Sequence, residues 1–416
     1  MVTIRPVRRA LVPVDTEAAE SVSAPNYDEF QGDHEVFEVI QERPECILRI
    51  TMAHCAVPSP DDMLEQDSDE ALKRAAENLK QLADDPRTRV VEDVLFVYEI
   101  RDPHRDGARQ IGLGGMAATR EIRTAGNPEG SIVRNEGIRE KKAEGRARLI
   151  RATDAFVGTV NLAVEDGEQR LEKVLRAYAD AHDEDYHATD ERGCTHRVWL
   201  VQDSAAQGGL VSALAREPRA YVADGNHRSA AAAALGLDGF LAVVFPSDRM
   251  GLAPYNRLVE RPRMAASELV HALEENFEVD ELEGVDAFQP SVTHEIGLYV
   301  GGRWFRLTPR EGTYDPESAV EAVDSKIVQD LFFDDVLGIE DPRDDRLTFV
   351  GGDRDAYYLK ERVDTGEFAY AVTLPPVTME QFIQVCRQGQ FMPPKSTWFQ
   401  PKLRMGLVIA LLDGTS

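Results

Sequence analysis

An α+β fold is expected for this chain, and three observations predict it. Strand-like and helix-like runs are mixed along 416 residues without the strict alternation of a doubly wound sheet. Several strand-like runs are joined by turn-rich connections, the mark of antiparallel hairpins. Apolar residues make up 43% of the chain and charged residues 29%, a globular composition large enough for two or three packed domains.

The first clear helix is "SDEALKRAAENLKQLADDP", with Ser68 as N-cap and Leu72, Ala75, Ala76, Leu79 and Leu82 forming its apolar stripe. "RVVEDVLFVYEI" and "RQIGLGGMAAT" read as strands around the turn "RDPHRDGA". The glycines of "GLGGMA" fit a loose dinucleotide loop, but no long helix follows, so a glycine-softened strand is the better reading. A basic helical stretch, "RNEGIREKKAEGRARLIRATDAF", comes next. Strands are then expected at "VGTVNLAVED", "THRVWLVQD", "RAYVAD" and "FLAVVFP". Helices are expected at "GEQRLEKVLRAYADAHDED", "AAQGGLVSALAREP" and the alanine run after Ser229.

The texture changes near residue 255. Helices are expected at "AASELVHALEENFEV", "AVDSKIVQDLFFDDVLGI" and "MEQFIQVCRQG", and a hairpin is centred on Gly301 and Gly302. "FAYAVTLP" and "LRMGLVIALL" read as strands. Two domains are therefore expected, residues 1–255 and 256–416.

The net charge is -27, which repels nucleic acid and anionic membrane. No apolar run reaches the length of a membrane helix, and the N-terminal residues lack the apolar core of a secretory signal. Cys46, Cys55, Cys194 and Cys386 form no C-x-x-C pair and read as buried thiols of a cytoplasmic protein. A small-molecule partner is the expectation, and a homo-oligomer is compatible with it.

"RAYVADGNHRSAAAAALG" carries more polar chemistry than a turn needs. Asp224–Ser229 is read as a polar loop between a buried strand and a helix start, where unpaired N–H groups and a positive partial charge can receive a phosphate. Gly225 lets backbone approach a ligand, and Arg228 can grip phosphate oxygens with two hydrogen bonds. His227 and Asn226 can donate, Ser229 follows them, and Asp224 can take a metal or orient a donor. The bland alternative is an N-cap followed by a solvent-facing arginine.

Two basic segments stand out. Arg134, Arg139, Lys141, Lys142, Arg146, Arg148 and Arg151 run together, with Glu136, Glu140 and Glu144 among them at helical spacing. This is either a solvated, salt-bridged helix face or a set of phosphate ligands beside Glu136 as general base. The second segment contains Lys395, Lys402 and Arg404, and no acid occurs from Gln381 to Leu412. Any anionic partner comes from a ligand or from elsewhere in the protein. Trp398 and Phe399 serve as core or as a stacking wall, with core the default. The P-loop, D-F-G, H-E-x-x-H and G-x-S-x-G motifs are absent. His104-Arg105-Asp106 lacks the asparagine of a kinase catalytic loop.

"VADGNHRSAA", "RNEGIREKKAEGR" and "MPPKSTWFQPKLRMGL" together resemble the domain-of-unknown-function family 1015. "SAPNYDEF", "AVVFPSD", "PYNRLV" and "FVGG" add to the likeness, in the expected order over nearly the whole chain. The resemblance implies a ParB/sulfiredoxin-like mixed α/β core with an additional C-terminal α+β region, and kinship with free L-serine kinases. It thereby implies a small-molecule kinase. Asp224, Gly225, His227 and Arg228 would hold donor phosphates. Arg134, Glu136, Arg139, Lys142 and Arg146 match the basic-acidic motif, and Lys395, Trp398 and Lys402 the C-terminal one. Asn226 and Asn135 stand where family members usually carry histidine, and Gly137-Ile138 where they carry Lys-Thr.

The sequence reading is thus phosphoryl transfer from ATP, ADP or pyrophosphate, with Mg²⁺, to a small hydroxyl compound, free L-serine being the favoured acceptor. Glu136, His227 and Arg228 carry the chemistry in that reading. The alternatives are a non-catalytic nucleotide- or metabolite-binding module and, ranked lowest, a ParB-like DNA-associated nucleotide switch.

Overall fold

The Ser68 hydroxyl accepts the backbone N–H of Ala71 at 3.3 Å, and the helix Asp69–Ala83 runs from that cap with Leu72, Ala75, Leu79 and Leu82 buried. The computed structural model describes residues 1–105, 108–260 and 264–412, so Asp106 of the His-Arg-Asp tripeptide lies outside the described residues. It is α+β, as its mixed and largely antiparallel sheets show. The chain divides into two units. One holds Met1–Arg134, Ile138–Met250 and the described part of Pro401–Ser416; the other holds Asn135–Gly137 and Gly251–Gln400.

The first unit is built on a mixed sheet of twelve strands among the described residues. At one edge Ile132–Arg134 runs parallel to Ala220–Asp224, with Val133 opposite Tyr221 and Arg134 opposite Val222. Val160–Val164 follows antiparallel, then Gly239–Pro246 parallel to that strand. Gly239–Pro246 is buried along its whole length, which fits its unbroken apolar run. The expected hairpin of Thr88–Arg101 and Arg109–Ala118 continues the sheet, and the Phe96 ring fills the space beside Gly114. The "GLGGMA" run is therefore a strand. Glu99, wholly buried on this hairpin, is held by Arg101, Arg109 and Arg197.

Three expectations for this unit change. The basic helix begins at Glu140, not at Arg134: Arg134 closes an edge strand and Glu136 lies before the helix. Only Glu140 and Glu144 of the three acids are helical, because strand pairing with Ala220–Asp224 captures the chain as far as Arg134. The polar loop also shrinks. Asp224 ends the strand, Gly225 turns the chain, and Asn226–Ser229 already form the first turn of the helix Asn226–Ala234. Finally, of "LRMGLVIALL" only Ile409–Leu411 is a strand.

The second unit contains a six-stranded antiparallel sheet. Ile296–Val300 and Arg303–Pro309 form the expected hairpin, with positive φ at both Gly301 and Gly302. The run "AASELVHALEENFEV" splits: the helix stops at Leu273, and Phe277–Glu281 pairs as a strand with Arg303–Pro309. A separate ribbon pairs Gly251–Ala253 with Trp398–Gln400.

Candidate functional site

The site in the first unit starts from two parallel strands that end side by side. Ile132–Arg134 leads towards the helix Glu140–Thr153, and Ala220–Asp224 leads through Gly225 into the helix Asn226–Ala234. Helix starts expose N–H groups and carry partial positive charge. Here two starts are joined directly, because the backbone N–H of Arg139 donates to Nε2 of His227 at 3.1 Å.

Gly225 has φ +96, and a Cβ there would sit 2.9 Å from Nε of Arg228. On another side, a Cβ at Gly158 would come 3.2 Å from Cδ of Arg228. Both glycines leave room for a guanidinium to lie flat in the fold. Arg228 is 7% exposed and donates to the Thr159 carbonyl at 2.6 Å and to Oδ2 of Asp224 at 2.5 Å. Burial works against its charge, but Asp224, Tyr27 and Asp28 more than offset this and hold its pKa above the usual arginine value. Arg228 is thus neither a solvent-facing arginine nor an open two-pronged clamp. Both terminal nitrogens have protein acceptors, and it braces the turn.

Asp224 also accepts from Nδ2 of Asn26 at 3.2 Å. Its neighbour Tyr27 lies under the guanidinium of Arg146, 4.0 Å from the ring centroid. Asp28 takes Nζ of Lys402 at 2.8 Å. The stretch Asn26–Asp28 therefore supplies partners to three of the residues singled out in the sequence, and it escaped residue-by-residue reading. Its signal was the "SAPNYDEF" likeness. A small, mostly apolar cavity opens beside these groups, lined in part by Tyr27, Arg146, Val157, Gly158 and Arg228.

Asp224, the expected magnesium ligand, already has Oδ2 bonded to the buried Arg228 guanidinium and to the Asn26 amide.

Arg134 and Arg139 are different. Each is half-buried, and the Nε of each, like that of Arg228, is buried without a hydrogen-bond partner. Neither has a carboxylate partner among the described residues. Burial alone pulls the Arg134 pKa below its usual value. Two cations without acids, in a chain with 74 acidic residues, are the feature that asks for an anion. Lys142 sits exposed on the first turn of the Glu140–Thr153 helix, and Ser229 is buried, its hydroxyl bonded to the Asn226 carbonyl at 3.0 Å.

Residues 4–329 match the family model described as protein of unknown function, DUF1015. This chain belongs to the DUF1015 family. No curated protein matches it. Among solved structures, the DUF1015 chain is similar to a free serine kinase in complex with AMP, at 15% identity over 65% of this chain and 83% of that one, TM-score 0.37. It is similar to a conserved hypothetical protein from Pyrococcus furiosus, at 14% identity over 65% and 87%, TM-score 0.34. A third is SbnI with C-terminal truncation from Staphylococcus aureus, at 11% identity over 72% and 87%, TM-score 0.39.

Glu136, Lys395 and Trp398 belong to the second unit of the DUF1015 chain. Glu136 forms a parallel bridge with Met392, and Nδ2 of Asn135 donates to Oγ1 of Thr397 at 3.3 Å. The acid is thus laid along the segment that carries Lys395. Lys395 itself has φ +59, with Nζ 5.2 Å from the Tyr255 ring centroid. Its carbonyl accepts from Arg257 at 3.1 Å. Arg257 is 4% exposed, and burial brings its pKa down to about 9. Trp398 is buried, edge-on to Tyr255 at 5.2 Å, so it is core. No helix among the described residues is long and apolar enough to cross a membrane.

Proposed function

We propose that this protein binds the phosphates of a nucleotide or pyrophosphate at the joined helix starts and transfers a phosphoryl group to a small hydroxyl compound, free L-serine first among them. One observation carries the reading. Arg134 and Arg139 are partly buried cations without carboxylate partners among the described residues; Arg139 precedes one helix and is bonded to His227 of the other, and Arg134 ends the edge strand that leads to it. A phosphate satisfies both arginines and takes the first-turn N–H groups of each helix.

In this reading Arg134, Arg139 and the first turn Asn226–Ser229 are the anion ligands. Arg228 is a brace that fixes that turn through Asp224 and Thr159. Glu136, two residues from Arg134 along the chain, takes the proton of the attacking hydroxyl. The family resemblance to free serine kinases supports the choice of acceptor. Asn135 and Asn226, in place of histidines, can hydrogen-bond but cannot shuttle protons, so the proton duty falls on the carboxylate.

The second reading is a binding module without catalysis, in which Glu136 serves only structure. One experiment separates the two. The protein is incubated with L-serine, Mg²⁺ and ATP, ADP or pyrophosphate in turn, and O-phosphoserine is sought by ³¹P NMR and mass spectrometry. Product that disappears in Glu136→Gln while nucleotide binding persists supports transfer. Binding without product from any donor supports the module.

A further inference from the structure

Elsewhere in the first unit, three metal-ligating side chains of different kinds come together. Asp33 is the first residue of the helix Asp33–Glu42, and His54 and Cys55 lie in the short turn Ala53–Cys55. One ligand atom from each of the three lies within 4.8 Å of the other two. His54 is 3% exposed and Cys55 is fully buried, whereas Asp33 faces solvent.

The decisive detail is the His54 ring. Its buried Nε2 has no well-formed hydrogen bond, yet it lies 3.2 Å from Oδ1 of Asp33. Two ligands of one tetrahedral ion, with bonds of about 2.0–2.1 Å, sit about 3.3 Å apart. The spacing is that of a His–Asp ion pair and equally that of two ligands of one ion. A Cys sulfur at about 2.3 Å from the ion completes a three-ligand set, and the Cys55 sulfur lies within 4.8 Å of both other ligand atoms. The backbone beneath is already fixed: the His54 carbonyl accepts from Leu64 at 3.1 Å, and the Cys55 N–H donates to Met52 at 2.9 Å. Val36, Phe37, Cys46, Ile50 and Val57 belong to the apolar cluster that also holds Cys55 and keeps that side dry.

We propose that Asp33, His54 and Cys55 form a zinc-type site, with water as the fourth ligand on the exposed Asp33 side. Nitrogen, sulfur and carboxylate together select a borderline divalent ion such as Zn²⁺ over Mg²⁺ or Ca²⁺. Bound there, the ion ties the first turn of one helix to the Ala53–Cys55 turn.

The test uses the full chain, stripped with a chelator and titrated with Co²⁺. One equivalent is expected to give the strong visible bands of tetrahedral Co²⁺ and a thiolate-to-cobalt charge-transfer band, both bleached by Zn²⁺. Asp33→Asn changes an exposed side chain and is expected to keep the fold while weakening Co²⁺ binding about tenfold or more. Cys55→Ser is expected to abolish the charge-transfer band. Should that variant not fold, Zn²⁺ must raise the melting temperature of the wild type more than that of Asp33→Asn. A wild type without the charge-transfer band, a band unchanged in both variants, or equal Zn²⁺ shifts in wild type and Asp33→Asn overturns the site. These readouts do not involve phosphate or activity and stand apart from the kinase reading.

Discussion

The backbone N–H of Arg139 donates to Nε2 of His227 at 3.1 Å, so one helix start is hung from the side chain of another. Because Nε2 accepts, the ring proton of the neutral imidazole is on Nδ1. His227→Ala removes the acceptor and is expected to cost about 0.5–1.5 kcal/mol of stability. His227→Gln, whose amide oxygen reaches about as far as Nε2, should recover most of it. Urea unfolding gives the stability, and calorimetric titration with pyrophosphate gives the binding. Pyrophosphate affinity should follow the same order, Gln above Ala. Equal affinity in the wild type and His227→Ala would move the anion away from this junction.

Arg134 makes a sharper forecast, because stability and binding should respond in opposite directions. Burial pulls its pKa down, and no carboxylate among the described residues compensates it. Replacing such a charge by an apolar side chain of similar length is neutral or stabilising. Arg134→Met should therefore melt at the wild-type temperature or above it. A charge-assisted hydrogen bond to phosphate is worth about 1.5–3 kcal/mol, so the same variant should bind pyrophosphate about ten- to a hundredfold more weakly. The ligand-induced melting shift checks both at once. A variant that is destabilised yet binds normally would make Arg134 structural.

The sequence carried local information well and distant pairing poorly. The Ser68 cap, the Gly301-Gly302 hairpin and the strand-to-helix passage at Asp224 each depend on residues within a few positions, and each is present. The basic helix was expected to begin too early because charge pattern cannot see that Arg134 pairs with Val222, 88 residues away. The run after Ala265 read as one helix because its period is apolar throughout, while pairing with Arg303–Pro309 takes its second half as a strand. The partners of Asp224 and Lys402 come from Asn26 and Asp28, at separations of 198 and 374 residues, which no spacing rule reaches. Phosphate-binding residue types were legible at Arg228; that both terminal nitrogens of its guanidinium are spent inside the protein was not.

The acid-free tail finds one answer to its missing anion in Asp28. Nζ of Lys402 lies 2.8 Å from that carboxylate, with the two side chains 8% and 15% exposed. Truncating one member strands a buried charge, so Lys402→Ala should cost about 3–5 kcal/mol. The double variant Lys402→Met with Asp28→Asn removes both charges and should recover much of the loss. A double-mutant cycle from denaturant unfolding measures the coupling, and additive losses would show the pair to be incidental.

Asp85 supplies a pH-dependent term outside the site. Hydrogen bonds from the Arg87 side chain and backbone hold its pKa down to about 2. A carboxylate depressed in the folded state binds more protons when unfolded, so its contribution is present above about pH 4 and fades as pH falls towards 2. Asp85→Asn lacks the charge throughout. The melting-temperature gap between wild type and Asp85→Asn should be steady above about pH 5 and close on acidification. A gap independent of pH would mean that the turn, not the charge, stabilises.

Gly225 tests whether the brace under the helix start matters to binding. Its φ of +96 is strained for any side chain, and an added Cβ would meet Nε of Arg228 at 2.9 Å. Gly225→Ala should therefore cost about 1–3 kcal/mol and push Arg228 from its bonds to Asp224 and Thr159. The helix start then loses its fixed orientation, and pyrophosphate affinity should fall at least about tenfold. Gly236, at the far end of the same helix, is the control: its φ is +68, but an added Cβ there meets open space. Gly236→Ala should lose comparable backbone stability while binding pyrophosphate like the wild type. If both variants bind equally well, the Asp224–Arg228 brace has no part in holding the anion. A loss confined to Gly225→Ala assigns the effect to Arg228 rather than to weakening of the helix.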